Sequence, residues 1–243
     1  MKERYGLLYG VGIGPGDPEL VTLKALKIIQ NVPVIYVPKR SQRDNSFALS
    51  IVKDMIDLKR QKICELLFPM TNNTEELKRY WEIAADNIYD RLSSGYNSAF
   101  ITEGDPFLYS TFVHLYKTFQ KRYTSIEIRV IPGISSITAS SCRALFPLTE
   151  SEDKIAILPA RYHIEELRET IDRFDTVVLL KVNSVMDDLL KIIKDIGLSD
   201  NIIFVQRCGT SEELILRDIN SIRDKKPDYF SLIIIKKEGG DYV

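Results

Sequence analysis

Three short segments hold the residues whose types and spacing suit chemistry: "GVGIGPGDP" at 10–18, "EGDP" at 103–106 and "IPGISS" at 131–136. Glycine and proline set backbone angles that other residues adopt at a cost, and they let a ligand approach the main chain. Asp17 and Asp105 add carboxylates, while Ser135 and Ser136 add hydroxyls together with amides at a helix start. The first segment invites a dinucleotide reading, in which G-x-G-x-x-G follows a strand and a helix N-terminus meets pyrophosphate. The register does not fit. Counted from Gly10 the third glycine position is Pro15, and from Gly12 it is Asp17, whose carboxylate repels a dianion at close range. No GKS or GKT triplet occurs. The lining therefore suits a neutral or cationic ligand with polar edges. Two alternatives stay open on these residues alone. One is NADP, with Lys39 and Arg40 on its 2′-phosphate; the other is a set of tight turns that serve only packing.

Elements that would position these segments follow from hydrophobic periodicity. Short apolar runs predict strands at 7–13, 34–37, 63–67, 99–102 and 128–131, separated by helical patterns at 22–30, 46–58, 74–93 and 111–122. The strands are apolar on both faces and their connections are long enough for crossovers, so a parallel sheet covered by helices is expected. Loops at the carboxyl ends of such strands converge on one crevice, which would bring the three segments to one rim. In "TLKALKIIQ", Leu23, Leu26, Ile28 and Ile29 are expected to face inward, with Asp17 or Thr22 as the cap and Pro18 in a first helical turn. Trp81, Ile83 and Ile88 read as a core stripe.

A helix is expected to end near Phe146, and the polar stretch "PLTESED" after it reads as a linker. Two α/β domains result, 1–147 and 148–243. Strands of the second are predicted at 155–159, 176–182, 202–206 and 230–236, helices at 163–172 and 184–196, and a further strand at 214–217.

Composition sets the outer bounds. The chain has 243 residues, 44% hydrophobic and 28% charged, which suits a soluble globular protein with a sizeable core. A net charge of −1 gives no pull toward nucleic acid or anionic lipid, and neither is expected as a partner. Cys64, Cys142 and Cys208 lie far apart, without CxxC spacing, which argues against a disulfide framework or structural zinc and fits a reducing compartment. His114 and His163 lack a partner at metal-ligand spacing, so no metal site is expected. No signal-peptide pattern and no apolar run of about 18 residues occurs, and a cytoplasmic location is expected.

Taken in order, "LYGVGIGPGDPELVTLKALK", "ITEGDPFLYSTF" and "VIPGISSITAS" resemble the tetrapyrrole methylase superfamily. "VIYVPKR", "NSFALSIV", "FPMTNNTEELKRYWEIAADNIYDRLSSG" and "IAILPA" narrow the resemblance to the precorrin-2/cobalt-factor II C20-methyltransferases of corrin biosynthesis. Uroporphyrinogen-III methyltransferases share "GPGDPEL", but their second strand runs on to an aspartate where this chain has "YVPKR". The resemblance implies two α/β domains, with a mostly parallel sheet in the first, a mixed sheet in the second and the active-site cleft between them.

It also implies S-adenosyl-L-methionine as methyl donor and a tetrapyrrole as acceptor, methylated at the C-20 meso carbon, in a homodimer. Cofactor contacts implied by the resemblance are Pro15, Gly104, Asp105, Ser135 and Ser136, and, on weaker local similarity, Ala160, Lys181, Cys208 and Ser231. The side chains of Lys181 and Cys208 depart from the small or apolar residues usual there. The many carboxylates of a corrin precursor call for a basic rim, for which Lys39, Arg40 and Arg43 stand at the right strand end. Tyr109 is placed to stack on adenine or macrocycle, or to pack in the core. No general base is identified; Asp17 and Asp105 are candidates because motif loops carry them, and local turn and cap bonding is their alternative role. The competing functions are another tetrapyrrole methylation, such as that of uroporphyrinogen III, and a non-catalytic nucleotide-binding module.

Overall fold

Runs such as "VIYV" and "SAFI" are apolar at consecutive positions, so both strand faces demand cover, and a parallel sheet between two helix layers meets that demand. The computed structural model describes residues 5–71, 73–223 and 225–237, without the side chains of Tyr162 and His163. The chain divides into two compact units, Met1–Ser135 and Ser136–Val243.

In the first unit β1 (Leu8–Gly12), β2 (Val34–Lys39), β3 (Lys62–Leu67), β4 (Ser98–Thr102) and β5 (Ile128–Ile131) form one sheet in the order β3-β2-β4-β1-β5. Every pairing is parallel. Helices α1 (Leu23–Asn31) and α2 (Phe47–Val52) cover one face, packing Ala25, Ile29, Ala48 and Ile51 on Val11, Ile35, Val37 and Ile101. On the other face α3 (Thr74–Ser93) and α4 (Phe112–Arg122) pack Ala85, Ile88, Phe112 and Phe119 on Leu8, Tyr36 and Phe100. Successive strand residues alternate between the two cores, as the pleat requires. The connections leaving β1 and β4 run in opposite directions on opposite faces, so these neighbouring strands form the switch point of the sheet, where ligands of open α/β folds bind.

Local chemistry fixes the helix ends. Asp17 caps a short 3₁₀ turn, Pro18–Leu20, and Thr22 separately caps α1 by accepting from Ala25 N at 3.2 Å. The last carbonyls of α1 are met by Gln61, buried, whose Nε2 donates to Ile29 O (2.6 Å) and Val32 O (2.7 Å). Leu23 departs from the expected inward stripe, being 75% exposed; Ile29 is buried as expected, joined by Ala25 and Val32. Ile83 is likewise exposed on α3, and Trp81 is half-buried, stacked on His114 at 4.1 Å. The helix expected at 46–58 ends at Val52 and continues as the 3₁₀ turn Lys53–Met55.

The second unit holds α5 (Ser136–Arg143), β6 (Ile155–Pro159), α6 (Ala160–His163), α7 (Leu167–Arg173), β7 (Thr176–Leu180), α8 (Met186–Asp195), β8 (Ile202–Gln206), β9 (Leu214–Leu216), α9 (Ile219–Arg223) and β10 (Ser231–Lys236). Its sheet has the order β6-β7-β10-β8-β9. Only β6 and β7 pair in parallel; β10 runs antiparallel to β7 and β8, and β9 antiparallel to β8. The mixed sheet is as expected. The expected single helix at 163–172 is two helices, α6 and α7, and α9 lies in a stretch where no helix was expected.

The division between units falls at Ser135, ahead of the linker expected at 147–153, and α5 belongs to the second unit. Hydrogen bonds explain this: Arg217 donates to Ala144 O, Arg143 pairs with Glu213, and Thr176 Oγ1 donates to Leu148 O at 2.6 Å. The segment after α5 is thus tied to the second unit from Arg143 to Leu148, into the start of the polar stretch.

The carboxyl ends of β1, β4 and β5 meet through glycines. A Cβ on Gly12 would lie 2.6 Å from both Gly104 O and Gly133 N, and a Cβ on Gly133 would overlap Gly104 O and lie 2.7 Å from Gly12 C. Gly12→Ala and Gly133→Ala should each cost about 3 kcal/mol or more through backbone overpacking. Gly197→Ala, with positive φ but nothing within 4 Å of its Cβ, should cost only about 1 kcal/mol. Urea unfolding of the three variants checks this ranking.

Candidate active site

The three glycine-rich segments lie together at one end of the first sheet. Ile13 N donates to Thr102 O at 3.1 Å and Gly104 N to Gly14 O at 2.8 Å, which extends the β1–β4 pairing into the loops. Gly14 and Gly104 both have positive φ, +83° and +62°. Gly104 keeps one side open: the nearest atom to a Cβ there is Ser135 Cα, 3.9 Å away. Pro15 is buried in the first loop, and Ser136 opens α5.

Both candidate carboxylates are engaged with backbone amides. Asp17 Oδ1 accepts from Glu19 N at 2.9 Å. Asp105 uses both oxygens, Oδ1 on Phe107 N (2.8 Å) and Oδ2 on Gly133 N (3.1 Å), and so ties the β4 loop to the β5 loop. A hydroxyl pair, Thr102 Oγ1 and Ser110 Oγ at 2.9 Å, closes the base of the β4 loop. Its tip exposes Phe107, Leu108 and Tyr109, and Tyr109 holds a left-handed backbone at φ +53°. Strained non-glycine backbone of this kind persists where the surroundings over-determine it.

The predicted basic rim follows β2, the strand next to β4. Lys39 is already paired: its Nζ donates to Glu65 Oε2 at 3.0 Å on β3. Arg43 is exposed and Arg40 partly so, in the turn beyond. Among the described residues no group of His, Cys, Asp and Glu could hold a metal ion, and no helix is long and apolar enough to cross a membrane.

In the second unit the register brings Ala160, Lys181, Cys208 and Ser231 to one end of the sheet. Pro159 pairs with Leu180, Leu180 with Leu232, and Ser231 with Gln206, so each candidate lies at or just past an aligned position. Lys181 and Arg207 both follow a strand with left-handed backbone, φ +58° and +49°, and their amides donate to Ser231 O (3.0 Å) and Phe230 O (2.9 Å). The two unusual side chains have partners within this unit. The Lys181 ammonium sits 5.0 Å from the Tyr229 ring centroid, and the Cys208 thiol packs beside Ser140 and Glu213. Burial pushes the Cys208 thiol up, with the neighbouring Ser140 hydroxyl opposing.

Glu213 and Arg143 are the residues that sequence reasoning missed. Arg143 meets the carboxylate with Nε (3.0 Å) and Nη2 (2.7 Å) on Oε1, and Oε2 also accepts from Gly209 N at 2.7 Å. Burial alone would raise the Glu213 carboxyl, but the Arg143 and Gly209 hydrogen bonds outweigh it and hold the group below its ordinary value. The partners are 70 residues apart, so no local pattern could reveal the pair.

Comparison with known proteins agrees with this architecture. The family model for tetrapyrrole (corrin/porphyrin) methylases matches residues 7–219, and the chain belongs to that family. It is 39% identical over 240 residues to the probable cobalt-precorrin-2 C(20)-methyltransferase of Methanocaldococcus jannaschii, covering 98% of this chain and 99% of that one. The cobalt-precorrin-2 C(20)-methyltransferase of Salmonella typhimurium is 27% identical, over 96% and 97% of the two chains. Among solved structures, a cobalt precorrin-4 methyltransferase shares the fold with a TM-score of 0.71 at 18% identity, covering 94% of each chain. A uroporphyrin-III C-methyltransferase from Thermus thermophilus, solved with S-adenosylhomocysteine, does so with a TM-score of 0.62 at 20% identity, over 96% and 98%.

Two outcomes follow from the carboxylates. Asp105→Ala leaves two amides without their acceptor and should lower stability by about 1–3 kcal/mol. Asp105→Asn should not restore it, because one oxygen becomes a donor facing a donor; chemical denaturation measures both. For Glu213, whose folded carboxyl is held down, the stabilisation is complete above the unfolded value of about 4.3 and is lost as pH falls through the lower folded value. The melting-temperature gap between wild type and Glu213→Gln should therefore be constant from pH 5 to 7 and shrink below about pH 4.

Proposed function

We propose that this protein is an S-adenosylmethionine-dependent C-methyltransferase acting on the C-20 meso carbon of precorrin-2 or its cobalt complex in corrin biosynthesis. The observation that carries the reading is the end-to-end likeness to the M. jannaschii protein, 39% identical over 98% of this chain. The chemistry of the loops supports it. Residues 10–18, 103–111 and 131–136 contain no lysine or arginine and offer carboxylates, hydroxyls and amides, which suit a sulfonium and ammonium cation better than a phosphate. The open side of Gly104 admits a ligand to the main chain.

In this reading Pro15, Gly104, Asp105 and Ser135 in the first unit are cofactor contacts, and Ser136, Ala160, Lys181, Cys208 and Ser231 are further contacts in the second. S-adenosylmethionine supplies an electrophilic methyl group on a sulfonium. The chain's part is positioning: the glycine-packed loops keep the rim rigid, and Asp105 orders the β4 loop rather than moving a proton. Arg40 and Arg43 bind carboxylates of the tetrapyrrole, and Tyr109, with Phe107 and Leu108, meets its flat apolar face. Lys39, paired with Glu65, contributes less. A homodimer in the cytoplasm completes the proposal.

Purified protein incubated with methyl-labelled cofactor and either precorrin-2 or cobalt-factor II should place the label at C-20. Label at C-2 or C-7, or none, refutes the assignment, and the preferred acceptor identifies the metal state of the substrate. Replacing Arg40 and Arg43 together with Met should raise KM for the tetrapyrrole about tenfold or more and leave S-adenosylhomocysteine affinity, read by calorimetry, within about twofold.

A further inference from the structure

We infer that Glu213 is a positioning residue: it holds the backbone turn at Cys208 and Gly209 in the conformation that receives the cofactor, an inference that rests on the reading of Cys208 as a cofactor contact. The turn follows β8, and left-handed residues flank Cys208 on both sides, Arg207 at φ +49° and Gly209 at φ +77°. A non-glycine residue in that region is costly and persists only under external constraint. Constraint comes from two sides. On one side, Arg207 N donates to Phe230 O at 2.9 Å, and the guanidinium is held by Asp228 and by Glu212 at 2.9 Å. On the other, Glu213 Oε2 accepts from Gly209 N at 2.7 Å while Arg143 grips the same carboxylate.

The carboxylate is the better buried partner of that ion pair, its side chain 12% exposed against 58% for Arg143. A surface ion pair of this kind holds little by itself, but a carboxylate that also accepts a backbone amide fixes the amide's direction. The Cys208 side chain is spent inward: it is 5% exposed and packed beside the buried Ser140. What the turn offers at the sheet end is therefore its main chain, and Glu213 is the group that sets the angle of that main chain. With its oxygens committed to Arg143 and Gly209 N, Glu213 acts through the turn, so its removal should weaken cofactor binding without slowing the bound complex.

The test uses full-length protein in a Cys64→Ser, Cys142→Ser background, where Cys208 is the only thiol. Three quantities are measured for Glu213, Glu213→Ala, Glu213→Gln and Arg143→Met: S-adenosylhomocysteine affinity by calorimetry, methyl-transfer kinetics, and the rate at which 4,4′-dithiodipyridine labels Cys208. Glu213→Ala should raise Kd and the KM for S-adenosylmethionine at least tenfold, leave kcat within about threefold, and label at least tenfold faster. Arg143→Met, which leaves the carboxylate on Gly209 N, should stay closer to the parent, and Glu213→Gln, whose NH2 must face the Arg143 guanidinium, should fall between it and Glu213→Ala; these two decide the matter if the alanine variant does not fold. If S-adenosylhomocysteine slows Cys208 labelling in the parent but Glu213→Ala leaves Kd and labelling unchanged, the positioning role is wrong and the cofactor reading stands. If S-adenosylhomocysteine binds the parent without slowing Cys208 labelling, the reading of Cys208 as a contact fails first. A loss of kcat equal to the loss of kcat/KM overturns the positioning role in favour of a catalytic one.

Discussion

Everything at the working end of the first unit depends on a backbone contact that only hydrogen side chains permit. Gly12 at the end of β1 lies against Gly104 O and Gly133 N, from the loops after β4 and β5. With the loops this close, the β1–β4 ladder can continue past the strands through Gly104 N and Gly14 O, and Asp105 can reach Gly133 N. A single methyl group at this point would push the three loops apart and break both. The contact falls at the switch point of the sheet, where the connections from β1 and β4 diverge to opposite faces. Rigidity and access thus come from the same three residues.

Charge is used in the same way in both units. Asp17, Asp105 and Glu213 all spend carboxylate oxygens on backbone amides of nearby turns. A carboxylate committed to amides is a poor proton carrier and a good splint, because moving the proton would cost the hydrogen bonds that shape the loop. This suits the proposed methyl transfer. An electron-rich meso carbon needs little activation, and the demand on the protein is to hold donor and acceptor in line with water excluded.

Much of this was legible in the sequence because the signals are local. Parallel strands were readable from apolar runs with two buried faces, and the failed glycine register at Pro15 and Asp17 argued against a dinucleotide cradle. Order along the chain, together with the rule that loops at strand carboxyl ends converge, was enough to expect the three motif loops on one rim. Less legible were features set by competition between neighbours. Leu23 fits an inward stripe by spacing, yet it is 75% exposed while Ala25, which the stripe omitted, is fully buried beside the expected Ile29. The bonds that tie α5 and the segment after it to the second unit, from Arg143, Arg217 and Thr176, reach far along the chain and leave no local pattern.

By itself the sequence determined the fold class, the family likeness and the kind of ligand the loops can tolerate. These depend on periodicity, glycine placement and the absence of cations in the motif segments, all of which are properties of adjacent residues. Only the tertiary structure decided what each carboxylate does. Whether Asp105 faces a substrate or the amide of Gly133, or Lys39 faces solvent or Glu65, depends on distances across strands that no spacing records. The same holds for Glu213, whose role exists only because folding carries Arg143 and Gly209 to opposite edges of one carboxylate.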